Sequence, residues 1–148
     1  GAPESVVNAR PALDIGAAST WGNAVISYDK AKLEKAAELL LKDYDKFKDS
    51  DGYMYDLATM LQQVLSNSAQ EYQRKMANAF KENNKEEFNT YADKFLSIID
   101  SMEKVTSTSK YYLLGTWVEQ AKALAKNADD FTKDLYEFNA KALVTTWG

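Results

Sequence analysis

The sequence predicts an all-α fold, a helical bundle of about five helices preceded by an irregular N-terminal arm. Three observations predict it. Both prolines, Pro3 and Pro11, lie before residue 12, so no proline interrupts the rest of the 148-residue chain. Beyond residue 29 apolar residues recur three and four positions apart, the period of a helix with one buried face. No strand-like alternation or hairpin turn competes with that pattern. At 45% hydrophobic and 27% charged residues, the chain has the means to bury one globular core.

The arm covers residues 1–26 and the bundle residues 27–148. Within the arm, GAASTWGN at 16–23 sets one large indole, Trp21, among small and polar residues. The first helix carries Leu33, Ala36, Ala37, Leu40, Tyr44 and Phe47 and runs from about Asp29 to Phe47, with Ser27 or Asp29 as its N-cap. After KDSDG comes the longest periodic pattern: Leu57, Met60, Leu61, Val64, Leu65, Ser68, Tyr72, Met76 and Phe80. ENNKEE breaks it and supplies Asn83 or Asn84 as a fresh cap for a third helix through Phe88, Tyr91, Phe95, Ile98 or Ile99, and Met102. TSTS at 106–109 offers hydroxyl caps for a fourth helix with Leu114, Trp117, Val118, Ala121 and Leu124. Asn127 is the expected cap of a fifth, through Phe131, Leu135, Phe138 and Ala142. There is no internal repeat or low-complexity tract.

Composition excludes more than it suggests. A formal net charge of -4 leaves no basic footprint for nucleic acid or an anionic membrane surface. No stretch has the continuous apolar length of a bilayer span, so no membrane insertion is expected, and GAPESVVNAR lacks the basic start and apolar run of a signal peptide. With no cysteine and no histidine, the chain has no thiolate nucleophile, no imidazole base and no zinc site of the usual nitrogen and sulfur kind.

The remaining candidate chemistry is weak. DYDKFKDSDG invites a calcium-loop reading, but with Gly52 in the sixth place Phe47 falls on the first ligand position and Ala58 on the twelfth. A helix end with a polar turn explains the stretch instead. Glu119 and Glu137 stand near aromatic residues, yet a retaining or inverting pair needs one acid of raised pKa beside an ionised partner. Glu119 lies about 200° round the helix from Trp117, so if Trp117 faces the core Glu119 faces away. No catalytic residue, metal ligand or cofactor site is therefore assigned. Gly115 inside YYLLGTWVEQAK costs roughly 1 kcal/mol against alanine in a helix interior, which suggests close approach by a neighbouring helix or by Trp117's packing partner.

Several segments, taken in order, resemble a known family. ARPAL, then STW, AAELLL, YDLATMLQQVL, YYLLGTWVEQAKALA and finally YEFNAKALVTTWG are similar to the C-terminal helical domain of the α-N-acetylglucosaminidases, glycoside hydrolase family 89. The resemblance runs from about Arg10 to Gly148, and LLGTWVEQAK and the closing TTWG are its most specific pieces. It implies a parent enzyme in which a small N-terminal domain and a (β/α)8-type barrel precede this segment. Such enzymes remove terminal α-linked N-acetylglucosamine with retention, using two glutamates on the barrel, so this chain alone is expected to be inactive.

The resemblance also implies partners and a role for the opening tryptophan. The helical domain packs on the catalytic barrel of the same polypeptide, and an aromatic residue near its start reaches toward the carbohydrate substrate. Trp21 occupies that place. An indole face covering the C–H face of a pyranose buries about half of an aromatic's 150–250 Å², on the order of 2–3 kcal/mol at most. Alternatively Trp21 pins the arm to the bundle. Trp147 reads as a buried anchor. Family chains continue past this point, so an exposed C-terminal aromatic face and a dimer through it are expectations. A secreted or periplasmic location in a bacterium is what the resemblance implies. Two other readings stand beside it: a stand-alone helical interaction module with an aromatic groove, and a purely structural domain.

Overall fold

The computed structural model describes residues 5–8, 12–13 and 25–145. Most of the arm, Trp21 included, lies outside the described residues, as does Trp147. Regular structure among the described residues is entirely helical: α1 Lys30–Lys42, α2 Tyr44–Phe47, α3 Asp51–Lys81, α4 Lys85–Thr106, α5 Leu114–Leu124 and α6 Asp130–Leu143, with a 3-10 turn over Lys110–Tyr112. The fold is all-α. The chain divides into two compact units, 1–108 and 109–148, each described by itself.

In the first unit, the Asp29 carboxylate accepts from the main-chain N–H groups of Ala31 at 3.0 Å and Lys32 at 3.4 Å, and so starts α1. The expected single helix from Asp29 to Phe47 is two. Asp43 leaves helical geometry at φ -99° and ψ 12°, and α2 is one further turn. The Asp43 main-chain N–H turns back to the Leu40 carbonyl at 3.1 Å, and the Tyr53 hydroxyl on α3 donates to the same oxygen. A main-chain bond and a tertiary donor thus both finish α1, where the sequence pattern alone continues it. The acidic stretch read against a calcium loop is this break, followed by Ser50, whose hydroxyl caps α3 at Tyr53 N.

α3 is 31 residues long, roughly 47 Å at 1.5 Å per residue. It ends on Asn83, which takes the left-handed conformation at φ 55°. Asn84 N donates to Ala79 O and Asn83 N to Phe80 O, which together serve two orphan carbonyls of the helix end. Asn84 then caps α4: its side-chain oxygen accepts from Glu87 N at 3.1 Å while its amide donates to the Glu87 carboxylate at 3.1 Å. The short connection lays α4 back along α3 as a helical hairpin. Tyr72 and Tyr91 stack across the seam with centroids 6.3 Å apart, and Phe80 meets Phe88 at 6.0 Å. α1 also packs on α3.

In the second unit, α5 and α6 pack on each other. The Trp117 indole N–H donates to the Ala140 carbonyl at 2.7 Å, and Val118, Ala140 and Ala142 are buried. Three expectations are corrected. The hydroxyls of Thr106, Ser107 and Thr108 donate back to carbonyls of α4 and finish that helix; α5 has Leu113 at its N-cap position and no side-chain cap. Asp129, not Asn127, caps α6, accepting from Thr132 N at 2.8 Å. Gly115 is the second residue of α5, and a Cβ there would meet nothing within 4 Å, so no close approach accounts for it. In the first turn a glycine removes no packing that the helix depends on.

Candidate functional site

The most organised polar arrangement in the first unit lies on two turns of α3, residues 66–73, where separate pieces of the N-terminal segment dock. Ser5–Asn8 form a turn, with Asn8 N donating to Ser5 O at 3.2 Å and Val7 N to Ser5 Oγ at 3.2 Å. That turn presents Val6 to Ala69, which is 0% exposed, with Val7, Phe95 and Ile98 packed around the pair. The Ser66 hydroxyl donates to Ser5 Oγ at 2.7 Å. Seven residues further along α3, the Gln73 amide donates to the Ala12 carbonyl and, at 3.4 Å, to that of Leu13. Beside these, the Tyr28 hydroxyl donates to Asn67 Oδ1 at 2.9 Å, and Gln63 Nε2 donates to the same oxygen at 3.2 Å.

These partners are buried polar groups on a helix. Asn67 is 3% exposed and Gln73 4%, and each has one polar atom with no partner among the described residues, Asn67 Nδ2 and Gln73 Oε1. A buried donor or acceptor without a partner costs about 1–3 kcal/mol. The bonds that each amide does make decide its orientation, because a flipped Gln73 would aim oxygen at two carbonyl oxygens, and a flipped Asn67 would aim N–H at the Gln63 N–H. Sequence reasoning missed both residues. A signal was present: Ala58, Ser66, Ala69, Gln73 and Ala77 form a second stripe at helical spacing, made of small and polar residues and set beside the apolar one. Small side chains let another backbone approach, and the polar ones supply its hydrogen bonds.

Among the described residues, the candidate carboxylates Glu119 and Glu137 do not form an acid–base pair. Glu119 pairs with Lys122 at 2.9 Å, and Glu137 pairs with Lys141 on its own helix. The hydrogen bond from Lys141 holds the Glu137 carboxyl below its ordinary range, Lys75 does the same for Glu71, and the Thr132 main-chain N–H lowers Asp129. A general acid working near neutrality needs the opposite shift. Among the described residues no three carboxylates stand together as a metal site, and no helix is long and apolar enough to cross a membrane.

The second unit exposes apolar residues the periodicity assigns to a core face. On α6, Phe131 is 77% and Phe138 63% exposed, with Leu135 also exposed, while the buried positions are Ala140 and Ala142. The Phe131–Leu135–Phe138 stripe therefore has no cover within the described residues, and a contiguous apolar face of this kind marks an interaction surface.

All 148 residues match the family model described as the α-N-acetylglucosaminidase (NAGLU) C-terminal domain. Human α-N-acetylglucosaminidase is 26% identical over 128 residues, 85% of this chain and 17% of that protein. Among solved structures, a family 89 glycoside hydrolase from Clostridium perfringens in complex with 2-acetamido-1,2-dideoxynojirimycin is 53% identical, with a TM-score of 0.92 over 100% of this chain and 17% of that one. The same figures hold for the Clostridium perfringens enzyme carrying two glutamate-to-glutamine substitutions, in complex with its substrate GlcNAc-α-1,4-galactose. The chain thus spans 17% of the length of the relatives it matches.

Proposed function

This chain belongs to the family of α-N-acetylglucosaminidase C-terminal domains, and from that premise we propose that it is the helical, noncatalytic part of an enzyme that removes terminal α-linked N-acetylglucosamine. One observation carries the reading: 53% identity and a TM-score of 0.92 over the whole chain to a family 89 hydrolase bound to its substrate. The chemistry resides elsewhere in the longer protein. The described carboxylates that are shifted are all lowered, whereas two glutamates were replaced in that substrate complex. The catalytic barrel of the same polypeptide is the partner, and the Phe131–Leu135–Phe138 stripe is the kind of surface such a partner covers. Carbohydrate is the substrate class, water the second substrate, and the reaction as read needs no cofactor.

Trp21 is the residue assigned to the substrate, as an apolar wall against the sugar ring. An enzyme acting on glycans outside the cell belongs in a secreted or periplasmic compartment, which this reading adopts. The direct test is to assay an aryl α-N-acetylglucosaminide with this chain alone and with the longer protein that carries it. Turnover only by the longer protein is the expected result. Turnover by the isolated chain would overturn the noncatalytic assignment, and turnover by neither would remove the glycosidase reading.

A further inference from the structure

Tyr72 of α3 and Tyr91 of α4, which stack across the hairpin seam with centroids 6.3 Å apart, hold two ammonium groups over their rings. Lys75 Nζ stands 6.0 Å from the Tyr72 centroid and 5.4 Å from that of Tyr91; Lys94 Nζ stands 5.7 and 5.5 Å from the same two. Each lysine lies three residues beyond its own tyrosine, and because the helices form an antiparallel hairpin these two steps run in opposite directions along the seam. Lys75 also pairs with Glu71 at 2.8 Å. The hydrogen bond from Lys75 holds the Glu71 carboxyl below its ordinary range, and Lys30 and Arg74 add to that effect. Asp29, beside Lys30 in sequence, is committed to main-chain N–H groups of α1. A chain whose formal net charge is -4 thus gathers Lys30, Arg74, Lys75 and Lys94 around one pair of rings and the Glu71 carboxylate.

Lys94 is the group that helix pairing accounts for least. Lys35, Lys48, Lys122, Lys133 and Lys141 each pair with a carboxylate three or four residues away. The positions three and four from Lys94 are Thr90, Tyr91, Ser97 and Ile98, none of them acidic, and Lys94 is exposed. We propose that Lys75 and Lys94, braced on the Tyr72–Tyr91 pair, bind the oxyanion of an acidic saccharide, a sulfate ester or a carboxylate. The saccharide rests on the reading of the longer protein as a glycosidase; the anion rests on the lysines and the rings. Fixing two long side chains ordinarily costs binding entropy, and ring faces that attract both ammoniums hold them before the ligand arrives. Two ammoniums held over one pair of rings suit an oxyanion, because its oxygens accept charge-assisted hydrogen bonds from both. The net charge of the chain repels polyanions at long range, so affinity for one reports this local arrangement.

The test is binding of dextran sulfate oligomers, which carry sulfate alone, and of oligogalacturonate, which carries carboxylate alone, by this chain and by the longer protein that contains it. Binding of at least one is expected in both proteins, and which one binds names the group. Lys94→Met keeps the stem and removes the charge; the affinity should fall about 10-fold with Tm unchanged, while Lys94→Arg binds as the parent does. A folded Lys94→Met that binds as tightly as the parent would overturn the proposal. Lys126→Met, in the other unit, should leave the affinity unchanged, and an equal loss there would overturn the site in favour of diffuse attraction. Binding of neither oligomer by the folded protein would also overturn it, as would binding by this chain that is lost in the longer protein. Turnover of an aryl α-N-acetylglucosaminide by the same longer protein keeps the two readings apart. An active enzyme that binds neither oligomer sinks the anion site alone, whereas an inactive one removes the glycosidase reading and the saccharide assignment with it.

Discussion

Val6 sits on Ala69, and the alanine retains no exposed surface. The arm residue occupies the space that a larger side chain on α3 would need, with Phe95 and Ile98 of α4 closing the other sides. The contact makes the helix register and the docking of the N-terminal segment interdependent.

Ala69→Leu therefore overpacks the site. The expected loss is about 1–3 kcal/mol, seen as a lower Tm in thermal unfolding of the chain. A variant as stable as the parent would mean that the Ser5–Asn8 turn lifts away at little cost, and that its contact with α3 is incidental.

Asn83 offers a second test. Its φ of 55° joins α3 to α4, and a β-branched residue there pays for the left-handed conformation that asparagine tolerates. Asn83→Val should lower stability by about 1–2 kcal/mol and Asn83→Gly should not, in urea titrations of both. Equal stability of all three proteins would contradict the strain argument.

The pH dependence follows from the ion pairs and caps. Glu71 and Glu137 lie below the ordinary glutamate value of 4.5 and Asp129 below 3.8. A carboxylate depressed by folding stabilises the protein above its unfolded value, and that contribution is lost as pH falls through the folded one. Lys75 and Lys122 are raised above 10.5 by their glutamate partners, so their contribution is present below that value and is lost as pH rises beyond it. Stability should be flat between the two limits and fall outside them. Asp129→Asn should remove part of the acid limb, with Tm against pH as the readout. An acid limb identical to that of the parent would dismiss the cap as its source.

Much of the fold was legible in the sequence because apolar spacing dictates helices directly. The stripes on α3 and α4 and the Asn84 cap follow from side-chain chemistry within a few residues. The break at Asp43 was not legible, because the apolar spacing runs on through Tyr44 and Phe47 while the Leu40 carbonyl is closed by the Asp43 N–H and by the Tyr53 hydroxyl of another helix. The α5 and α6 boundaries were misplaced because several hydroxyl and amide residues compete as caps, and backbone geometry selects among them. The docking site was hidden for a different reason: Ser66, Asn67 and Gln73 read as an ordinary polar face until the segment that covers them is in place. Apolar periodicity likewise marks which face of α6 is hydrophobic, and is silent on whether this chain covers it.

Trp21 is the residue proposed to meet the sugar, and one measurement addresses it: kcat/KM of the longer protein on an aryl α-N-acetylglucosaminide, wild type against Trp21→Ala, with circular dichroism on both. An active wild type and a folded variant with a loss on the order of 10-fold or more are expected, consistent with about 2–3 kcal/mol of sugar contact as an upper limit. A folded variant with unchanged kcat/KM would contradict it and leave Trp21 as a residue that only fastens the arm.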